Sequence, residues 1–503
     1  MSWIIVIEEN ETLAHQIEEA LAQIDAQINV VHFLNSKEFM AWMNLLAQQD
    51  PAARARIPSI PFRGIITAIE SWNFRDVKLI NKFRQLFINM GFASANDELC
   101  VLLTGYNVDH SHQKRFEQRS INNLLHKPFD RTLLKQMLEI ALTGRHPVKK
   151  FHIHNLKTEV QIEMLKEIRI TELTEIGFQT LSDQPIDKNH IAKYYASFLE
   201  TSQHKSALAS AFEQTAVEGS NRSRVKLGFF ALDQQQSFNL QKRIQDHKQT
   251  RPLEPKIETP LDFEFVFVTH ESTNLAEQII PSIERFFNHP LRTFKTAAEL
   301  VNWSKTSPRS ANPSLQRLIF IDSKHLAGNE FADLQVLHKQ IENLDAALYI
   351  LSPRIFPEAL EYELSQICED IYYATFNRSY IIKTLKRAWP SMRTKENIFE
   401  THAPLDEIIH VSNPVKVIEV SEAGLVMEYY RELSIGSFRD FVFWMPNEIA
   451  IPWLLAQCNC SEYNPSTKTY TCHFVFFGLS DLQQKHIRLW MLHNYIDAKT
   501  DAA

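Results

Sequence analysis

The sequence predicts a multidomain protein in which two doubly wound α/β domains alternate with two small antiparallel β-barrels. Two observations predict this fold class: a long internal repeat, and a change of apolar pattern midway through each copy. With 503 residues, of which 44% are apolar and 22% charged, the chain is long enough for several packed cores. The net charge of −7 includes no polybasic block, so neither nucleic acid nor an anionic membrane surface is an expected partner.

The repeat has one spacing over about a hundred residues. The segments ELTEIGF (172–178) and EVSEAGL (419–425) lie 247 positions apart, and so do GFFALD (228–233) and VFFGLS (475–480). Further upstream, VVHFLNSKEFMAWM aligns with LRTFKTAAELVNWS, which pairs Phe33 with Phe294, Glu38 with Glu299 and Trp42 with Trp303. The predicted domains are two α/β domains, two barrels and a proline-containing linker, with bounds 1–144, 145–248, 249–260 (linker), 261–391 and 392–503.

In the first half of each copy, short apolar runs such as WIIVI and CVLLTG alternate with segments in which apolar residues have helical periodicity. This alternation predicts a parallel sheet whose functional loops follow the carboxyl ends of the strands. The second half has strand-like alternation, as in VKVIEV and YTCHFVFF, and it ends in the helical pattern SDLQQKHIRLWMLHNY. The interior of the first barrel, 189–221, is an exception, because its pattern is helical.

The first α/β segment has a set of polar residues after its predicted strands. Glu8 and Glu9 follow the first strand, Thr104 follows VLL, and Lys127 precedes a proline, but the third strand ends on Ala68. The segment resembles the receiver domain of two-component response regulators, which have a flavodoxin-like fold. The resemblance implies that an acidic pair binds Mg²⁺, an Asp accepts the phosphoryl group, and a hydroxyl and a Lys bind its oxygens. Because Ala68 stands in place of that Asp, we expect no phosphorylation.

The second α/β segment resembles a receiver with different losses. Asp322 occupies the phosphoacceptor position and Ser352 the hydroxyl position, but the acidic pair reads Thr269-His270 and the Lys position is Ala374. Without a metal cage or an ammonium group, Asp322 should be a poor phosphoacceptor. The alternative is that Asp322 is a capping or turn-forming residue after a buried strand.

The repeated turn resembles a motif of PilZ domains, the small barrels that bind cyclic di-GMP. In the first copy Glu172, Thr174 and Gly177 match the turn, and Arg145 and Lys149 lie where the family has two arginines. The resemblance implies that cationic side chains bind the diphosphate and that the glycine adopts a positive φ close to the ligand. Lys in place of Arg loses bidentate contact, so binding in this copy is an open question.

The second copy of the turn retains Glu419, Ser421 and Gly424, but Met392 and Glu396 lie where the family has its arginines. Cyclic di-GMP binding is therefore not expected there. The alternative for both turns is a strand–loop–strand connection in which the glycine has only a geometric role.

These resemblances imply a non-catalytic bacterial signalling or scaffold protein that acts through protein partners of signalling or motility systems. The receiver surface used for pairing would also allow a homodimer. We expect a cytoplasmic protein without a membrane span, a metal site or a resident cofactor, because long apolar runs and catalytic motifs are absent. Two alternatives stay open: a cyclic di-GMP receptor acting through the first barrel, and a response regulator phosphorylated on Asp322.

Overall fold

A computed structural model describes most of the chain. The described residues are 2–48, 62–72, 87–88, 99–106, 121–143, 161–174, 176–182, 186, 191–201, 204–217, 219–220, 222–246, 250–251, 263–270, 280, 291–306, 316–326, 329–341, 344, 346–373, 400–401, 407–445, 449–450 and 453–500. Within this part, no helix is both long and apolar enough to cross a membrane.

The first α/β domain, residues 2–143, is built on five parallel strands in the order β2-β1-β3-β4-β5. This is the flavodoxin-like order, which places the loops after β1, β3 and β4 at one edge of the sheet. The strands are β1 Ser2–Ile7, β2 Ile28–Phe33, β3 Phe62–Ala68, β4 Cys100–Gly105 and β5 Asn123–His126, and the helices are α1 Glu11–Ile24, α2 Ser36–Ala47 and α3 Arg131–Thr143.

The first antiparallel domain follows, and it corrects one expectation from the sequence. The region 189–221, predicted to be helical, contains two strands that pair with each other and with a third. Alanine-rich β9 was taken for a helix, but its first five residues are buried between two strands, so the pairing overrides helix propensity. The elements are β6 Gln161–Leu173, β7 Gly177–Ser182, β8 Ile191–Tyr195, β9 Ala207–Ala216, β10 Ser223–Phe230, α4 Gln234–Asp246 and β11 Thr250–Arg251.

The second α/β domain, residues 263–373, repeats the first with the parallel order β13-β12-β14-β15-β16. The α/β part of the predicted fold class is thereby confirmed for both copies. The elements are β12 Phe263–Val268, β13 Leu291–Phe294, α5 Ala297–Thr306, β14 Gln316–Asp322, α6 Glu330–Gln340, β15 Ala346–Ser352, α7 Glu358–Leu364 and β16 Asp370–Tyr373.

The second antiparallel domain closes with a long helix, as the sequence predicts. Its strands β20, β23, β24, β19 and β18 pair in that order. The elements are β17 Glu400–Thr401, β18 Glu407–Val420, β19 Gly424–Tyr429, β20 Phe438–Val442, β21 Trp444–Met445, β22 Ile449–Ala450, β23 Leu454–Asn464, β24 Thr469–Phe476 and α8 Asp481–Thr500.

The aligned residues of the two α/β domains make matching contacts. The rings of Phe33 and Trp42 lie 5.2 Å apart, and those of Phe294 and Trp303 lie 5.5 Å apart. The carboxylates of Glu38 and Glu299 each accept a hydrogen bond from a backbone N–H at the start of their helix, at 3.0 and 2.9 Å. These pairs show that the two domains share one helix-entry geometry, in which a Glu of the first helical turn bonds back to the backbone before the helix and a Phe–Trp ring contact lies in the same segment.

The chain forms two compact units that exchange partners between the repeats. One unit contains 1–165 and 414–503, so the first α/β domain packs with the second antiparallel domain. The other unit contains 166–413, so the first antiparallel domain packs with the second α/β domain. In this second unit β11, which lies inside the predicted linker, pairs with β17.

The packing inside each unit uses equivalent residues. Phe477 lies in the core of the first α/β domain, and Phe230, its counterpart 247 positions earlier, lies in the core of the second. The Gly478 N–H donates to Asn123 Oδ1 at 3.3 Å, and the Ala231 N–H donates to Asp370 Oδ1 at 2.7 Å. The duplication therefore preserved one docking contact, which each α/β domain makes with the antiparallel domain of the other repeat.

Candidate functional site

The candidate site of the first α/β domain lies where β1, β3 and β4 end. Ala68 is the last residue of β3 and is paired with Thr104 of β4. Ala68 begins the 3₁₀ turn Ile69–Ser71 with φ −68° and ψ 130°. A methyl group thus occupies the place where a receiver has its nucleophile, so this domain has no oxygen there to attack a phosphoryl donor.

Lys127 is fully engaged by carboxylates. Its Nζ lies 2.6 Å from Glu8 Oε2 and 3.1 Å from Glu70 Oε2. The Lys127 and Glu8 side chains are only 2% and 4% exposed, which removes water as a competing partner. Glu70 Oε1 also accepts the Tyr106 N–H at 2.5 Å. The ammonium group at the position of the receiver lysine is thus held between two carboxylates, one buried and one partly exposed.

The other residues predicted to form this pocket lie in different surroundings. Thr104 is buried, and among the described residues its hydroxyl has no hydrogen-bond partner. Glu9 is exposed, whereas Glu8 is buried beside Lys127. The predicted acidic pair is therefore divided between the pocket and the solvent.

Glu70 is the pocket residue that the sequence analysis did not include among the site residues. It lies two positions after Ala68, in the 3₁₀ turn, and its side chain is 43% exposed. The signal available in the sequence was a carboxylate two residues beyond the end of β3. A period of two places Glu70 on the same side as Ala68, but Glu70 was set aside because it lies in the loop and has one methylene more than an aspartate.

The second α/β domain holds Asp322 in the corresponding position. Asp322 begins the 3₁₀ turn Ser323–His325 with φ −66° and ψ 128°, and its Oδ1 accepts the Lys324 N–H at 2.9 Å. The side chain is 1% exposed. Asp322 therefore caps the turn that follows β14, which is the geometry that the capping alternative predicts.

Ser352 lies one residue further along its strand than Thr104 does. Asp322 is paired with Leu351, whereas Ala68 is paired with Thr104. The Ser352 hydroxyl donates to the Arg354 carbonyl at 2.6 Å. By strand register the counterpart of Thr104 is therefore Leu351, and not Ser352 as the sequence predicted. Ser352 instead takes part in the turn that follows its strand.

Two histidines occupy the region where the acidic pair would lie. The rings of His270 and His325 are 5.3 Å apart, and His325 Nε2 lies 2.9 Å from the Thr269 carbonyl oxygen. Neither imidazole offers the oxygen ligands that Mg²⁺ prefers. Ala374, at the predicted lysine position, lies outside the described residues.

The two copies of the repeated turn have the same hydrogen bonds. Thr174 N donates to Gly177 O at 2.8 Å, and Ser421 N donates to Gly424 O at 2.8 Å. Each hydroxyl also accepts the glycine N–H, at 3.2 Å in both copies. The hydroxyl groups predicted as ligand contacts thus stabilise the turn itself.

The glycines of the turns have a different role from the predicted one. Gly177 and Gly424 begin strands β7 and β19, and neither has a positive φ. A Cβ on Gly177 would lie 1.8 Å from the carbonyl oxygen of Leu227 in β10. Glycine is required at position 177 because two backbones approach closely, which corrects the expectation of a left-handed turn.

The other predicted ligand contacts of these turns remain untested. Glu172 lies at a register shift of β6, and burial raises the pKa of Glu419 in β18. Arg145 and Lys149 lie outside the described residues, as do Met392 and Glu396. The structure therefore describes the turns, whereas the cations predicted to accompany a diphosphate lie outside the described residues.

Comparisons with known proteins give weak structural matches only. No protein-family model matches the chain, and no curated protein matches it. A response regulator receiver domain protein from Clostridium thermocellum is 16% identical, covers 30% of this chain and 98% of its own, and has a TM-score of 0.20. A putative pilus assembly-related protein from Burkholderia pseudomallei K96243 is 15% identical, with coverages of 28% and 100% and a TM-score of 0.22.

A third solved structure, a putative two-component system response regulator/GGDEF domain protein, is 8% identical over 78% of this chain and 100% of its own, with a TM-score of 0.20. These scores carry no argument about function. The receiver-like description of the α/β domains rests on their strand order and on the residues at the strand ends.

Proposed function

We propose that the chain is a non-catalytic signalling or scaffold protein that acts by binding protein partners through degenerate receiver-like domains. The contact of the buried Lys127 with Glu8 and Glu70, next to Ala68, carries this proposal. A site that has lost its nucleophile and has neutralised its lysine internally retains the fold without the reaction. The signalling and motility systems named by the receiver resemblance are the proposed source of partners.

The contact between the α/β domain and the antiparallel domain of each unit limits which surfaces are open to such partners. The last strands of the α/β sheets, β5 and β16, are in contact with antiparallel domains inside their own units. We therefore propose that the receiver surface used for pairing is occupied within the chain, and that partners bind elsewhere. This supports a scaffold rather than a homodimer formed through that surface.

Phosphorylation chemistry gives a direct test. The full chain, incubated with Mg²⁺ and acetyl phosphate or with a beryllium fluoride mimic, is expected to show no phosphoryl adduct by intact mass and no thermal shift. An authentic receiver domain treated in parallel is the reagent control. An adduct on this chain that disappears in Asp322→Asn would establish the phosphorylated-regulator alternative and overturn the proposal.

Cyclic di-GMP binding is the second candidate function, because both copies of the turn retain their hydroxyl and glycine. Titration calorimetry is expected to give no heat at concentrations on the order of tens of micromolar, because both hydroxyls already bond to the turn backbone. Heat that is abolished by Arg145→Ala, but not by Arg439→Ala elsewhere on the surface, would support the receptor instead.

A tagged full chain recovered from the native host provides the test of partner binding. We expect a signalling or motility component to co-purify in a fixed ratio to the chain. Recovery of the chain without such a component, under gentle lysis and at native abundance, would contradict the scaffold proposal.

A further inference from the structure

The contact between the first antiparallel domain and the second α/β domain contains a buried cluster of ionisable side chains. His204 and Asp233 come from the antiparallel domain, and Glu361 and Tyr373 come from α7 and β16. All four side chains are at least nine-tenths buried. Buried titratable groups are costly unless their protonation states match, so this cluster depends on where its protons lie.

His204 lies between acceptors from both domains. Its Nδ1 is 3.2 Å from Asp233 Oδ2. Its Nε2 is 3.4 Å from the Phe356 carbonyl oxygen and 3.7 Å from Glu361 Oε1. A neutral imidazole has one N–H donor, so only the doubly protonated ring can donate in both directions. The geometry therefore requires a proton that a neutral His204 would lack.

Glu361 is held from its other side by Tyr373. The Tyr373 hydroxyl donates to Glu361 Oε1 and accepts the Phe356 N–H, the latter at 3.3 Å. Among the described residues, His204 is the one cation that contacts Glu361. Loss of the His204 proton would leave acceptors of the two domains facing each other across the contact.

Three further charged groups surround the cluster. Glu358 of α7 contacts the Ser206 hydroxyl, and Lys193 of β8 lies 3.6 Å from its Oε2. Asp370 of β16 accepts the Ala231 N–H. With three acidic groups beside Asp233 and one lysine, the surroundings are rich in negative charge, and the positive charge on His204 offsets part of it.

The equivalent contact in the other unit does not need such a proton. There His126, which occupies the position of Tyr373, has its Nε2 3.0 Å from the Gly478 carbonyl oxygen. Asn123 replaces Asp370, and its amide bonds to Phe476 O and Gly478 N. A neutral histidine and an amide suffice for these bonds, so the two units share a contact but not its ionisable cluster.

We propose that the first antiparallel domain and the second α/β domain are joined by a proton-dependent contact that weakens when His204 loses its charge. This regulation is independent of the proposed scaffold function and concerns only the unit formed by 166–413.

The direction of the pH effect follows from the same geometry. Burial alone would lower the pKa of His204, but the bond to Asp233 and the charge of Glu361 raise it to about 9. Its stabilisation is complete below the unfolded value of 6.5 and is lost as pH rises towards about 9. Burial raises the pKa of Glu361 from 4.5 to about 8, so the contribution of its protonated form is complete below pH 4.5 and is lost as pH rises through about 8.

The stabilising contribution of Asp233 is lost at low pH rather than at high pH. Burial would raise its pKa, but the hydrogen bond from His204 lowers it below the usual value. Its contribution is therefore present above its unfolded pKa and is lost as pH falls through the lowered one. The contact is expected to be strongest between these limits, in mildly acidic solution.

Two equivalent amides report on the contact in the full chain. The Ala231 N–H bonds to Asp370 across the proton-dependent contact, and the Gly478 N–H bonds to Asn123 across the control contact. Hydrogen exchange, corrected for the intrinsic rate, is compared at about pH 6 and about pH 9.5. Protection of Ala231 and Phe356 is expected to fall relative to Gly478 by about tenfold or more, the equivalent of one pKa unit.

Variants separate a proton effect from simple packing. His204→Gln is expected to remove the pH dependence at Ala231, whereas His126→Gln leaves that dependence unchanged. Glu361→Gln, which cannot ionise, is expected to reduce the alkaline loss. Equal protection of Ala231 in the wild type at both pH values would overturn the proposal without any variant. An unchanged pH ratio in His204→Gln would also overturn it, because the proton would then lie on another group.

Discussion

Gly177→Ala is expected to lower the free energy of unfolding of the first antiparallel domain by about 4 kcal/mol or more, at the severe end for single substitutions. The added Cβ would lie 1.8 Å from Leu227 O and 2.8 Å from the carbonyl carbon of the same residue. Both atoms belong to the backbone, so no side-chain rotation relieves the overlap. Strand β7 must move away from β10, with which it pairs from Gly177 to Ser182.

Hydrogen exchange over 177–182 and 223–230, together with the first thermal transition, measures this effect. Gly219→Ala is the matched control, because Gly219 has a φ of +75° and open space around it. Backbone strain alone should then cost about 1 kcal/mol. A Gly177→Ala protein as stable as the Gly219→Ala control would show that the close approach of β7 and β10 is not a constraint on folding.

This prediction changes the meaning of the repeated turn. Its hydroxyl–glycine pair was a candidate ligand contact because the turn resembles a motif of PilZ domains. The structure gives both residues a local role, since the hydroxyl closes the turn and the glycine admits the neighbouring strand. The sequence could predict where the turn lies, but the steric reason depends on β10, about fifty positions away.

The α/β domains were predictable because their signals are local. Apolar runs, helical periodicity and the aligned pairs Phe33/Phe294 and Trp42/Trp303 each fall within one element or its neighbour. The parallel order of both sheets follows from that alternation. Asp322 was likewise placed correctly at the end of β14, and the structure adds its capping bond.

The exchange of partners between the repeats was not predictable in the same way. Both antiparallel domains carry the Phe-Phe segment, and both α/β domains carry the strand that receives it, so the sequence permits either pairing. The His204 cluster was missed for a related reason. Its members are separated by up to 169 positions, between His204 and Tyr373, and no motif marks any of them. Strand β9 was misassigned because alanine and glutamate favour helices when packing is unknown.

Lys127→Met is expected to lower the free energy of unfolding of the first α/β domain by about 3 to 5 kcal/mol, the usual cost of leaving a buried charge without its partner. Lys127 is the cation closest to Glu8, at 2.6 Å, and both side chains are almost entirely buried. Methionine retains most of the volume of lysine, so the loss reports on charge rather than on a cavity. Urea unfolding followed by circular dichroism measures the change.

The double variant Glu8→Gln/Lys127→Met separates the ion pair from the remainder of the pocket. Because no buried charge is then left uncompensated, we expect it to recover most of the stability lost in Lys127→Met. Glu9→Gln, on the exposed neighbour, is expected to change stability by no more than about 0.5 kcal/mol. If the double variant were as unstable as Lys127→Met, the lysine would matter for packing rather than for charge. A recovered double variant would mean that the charges of Glu8 and Lys127 balance one another, so that this ion pair serves the folding of the domain.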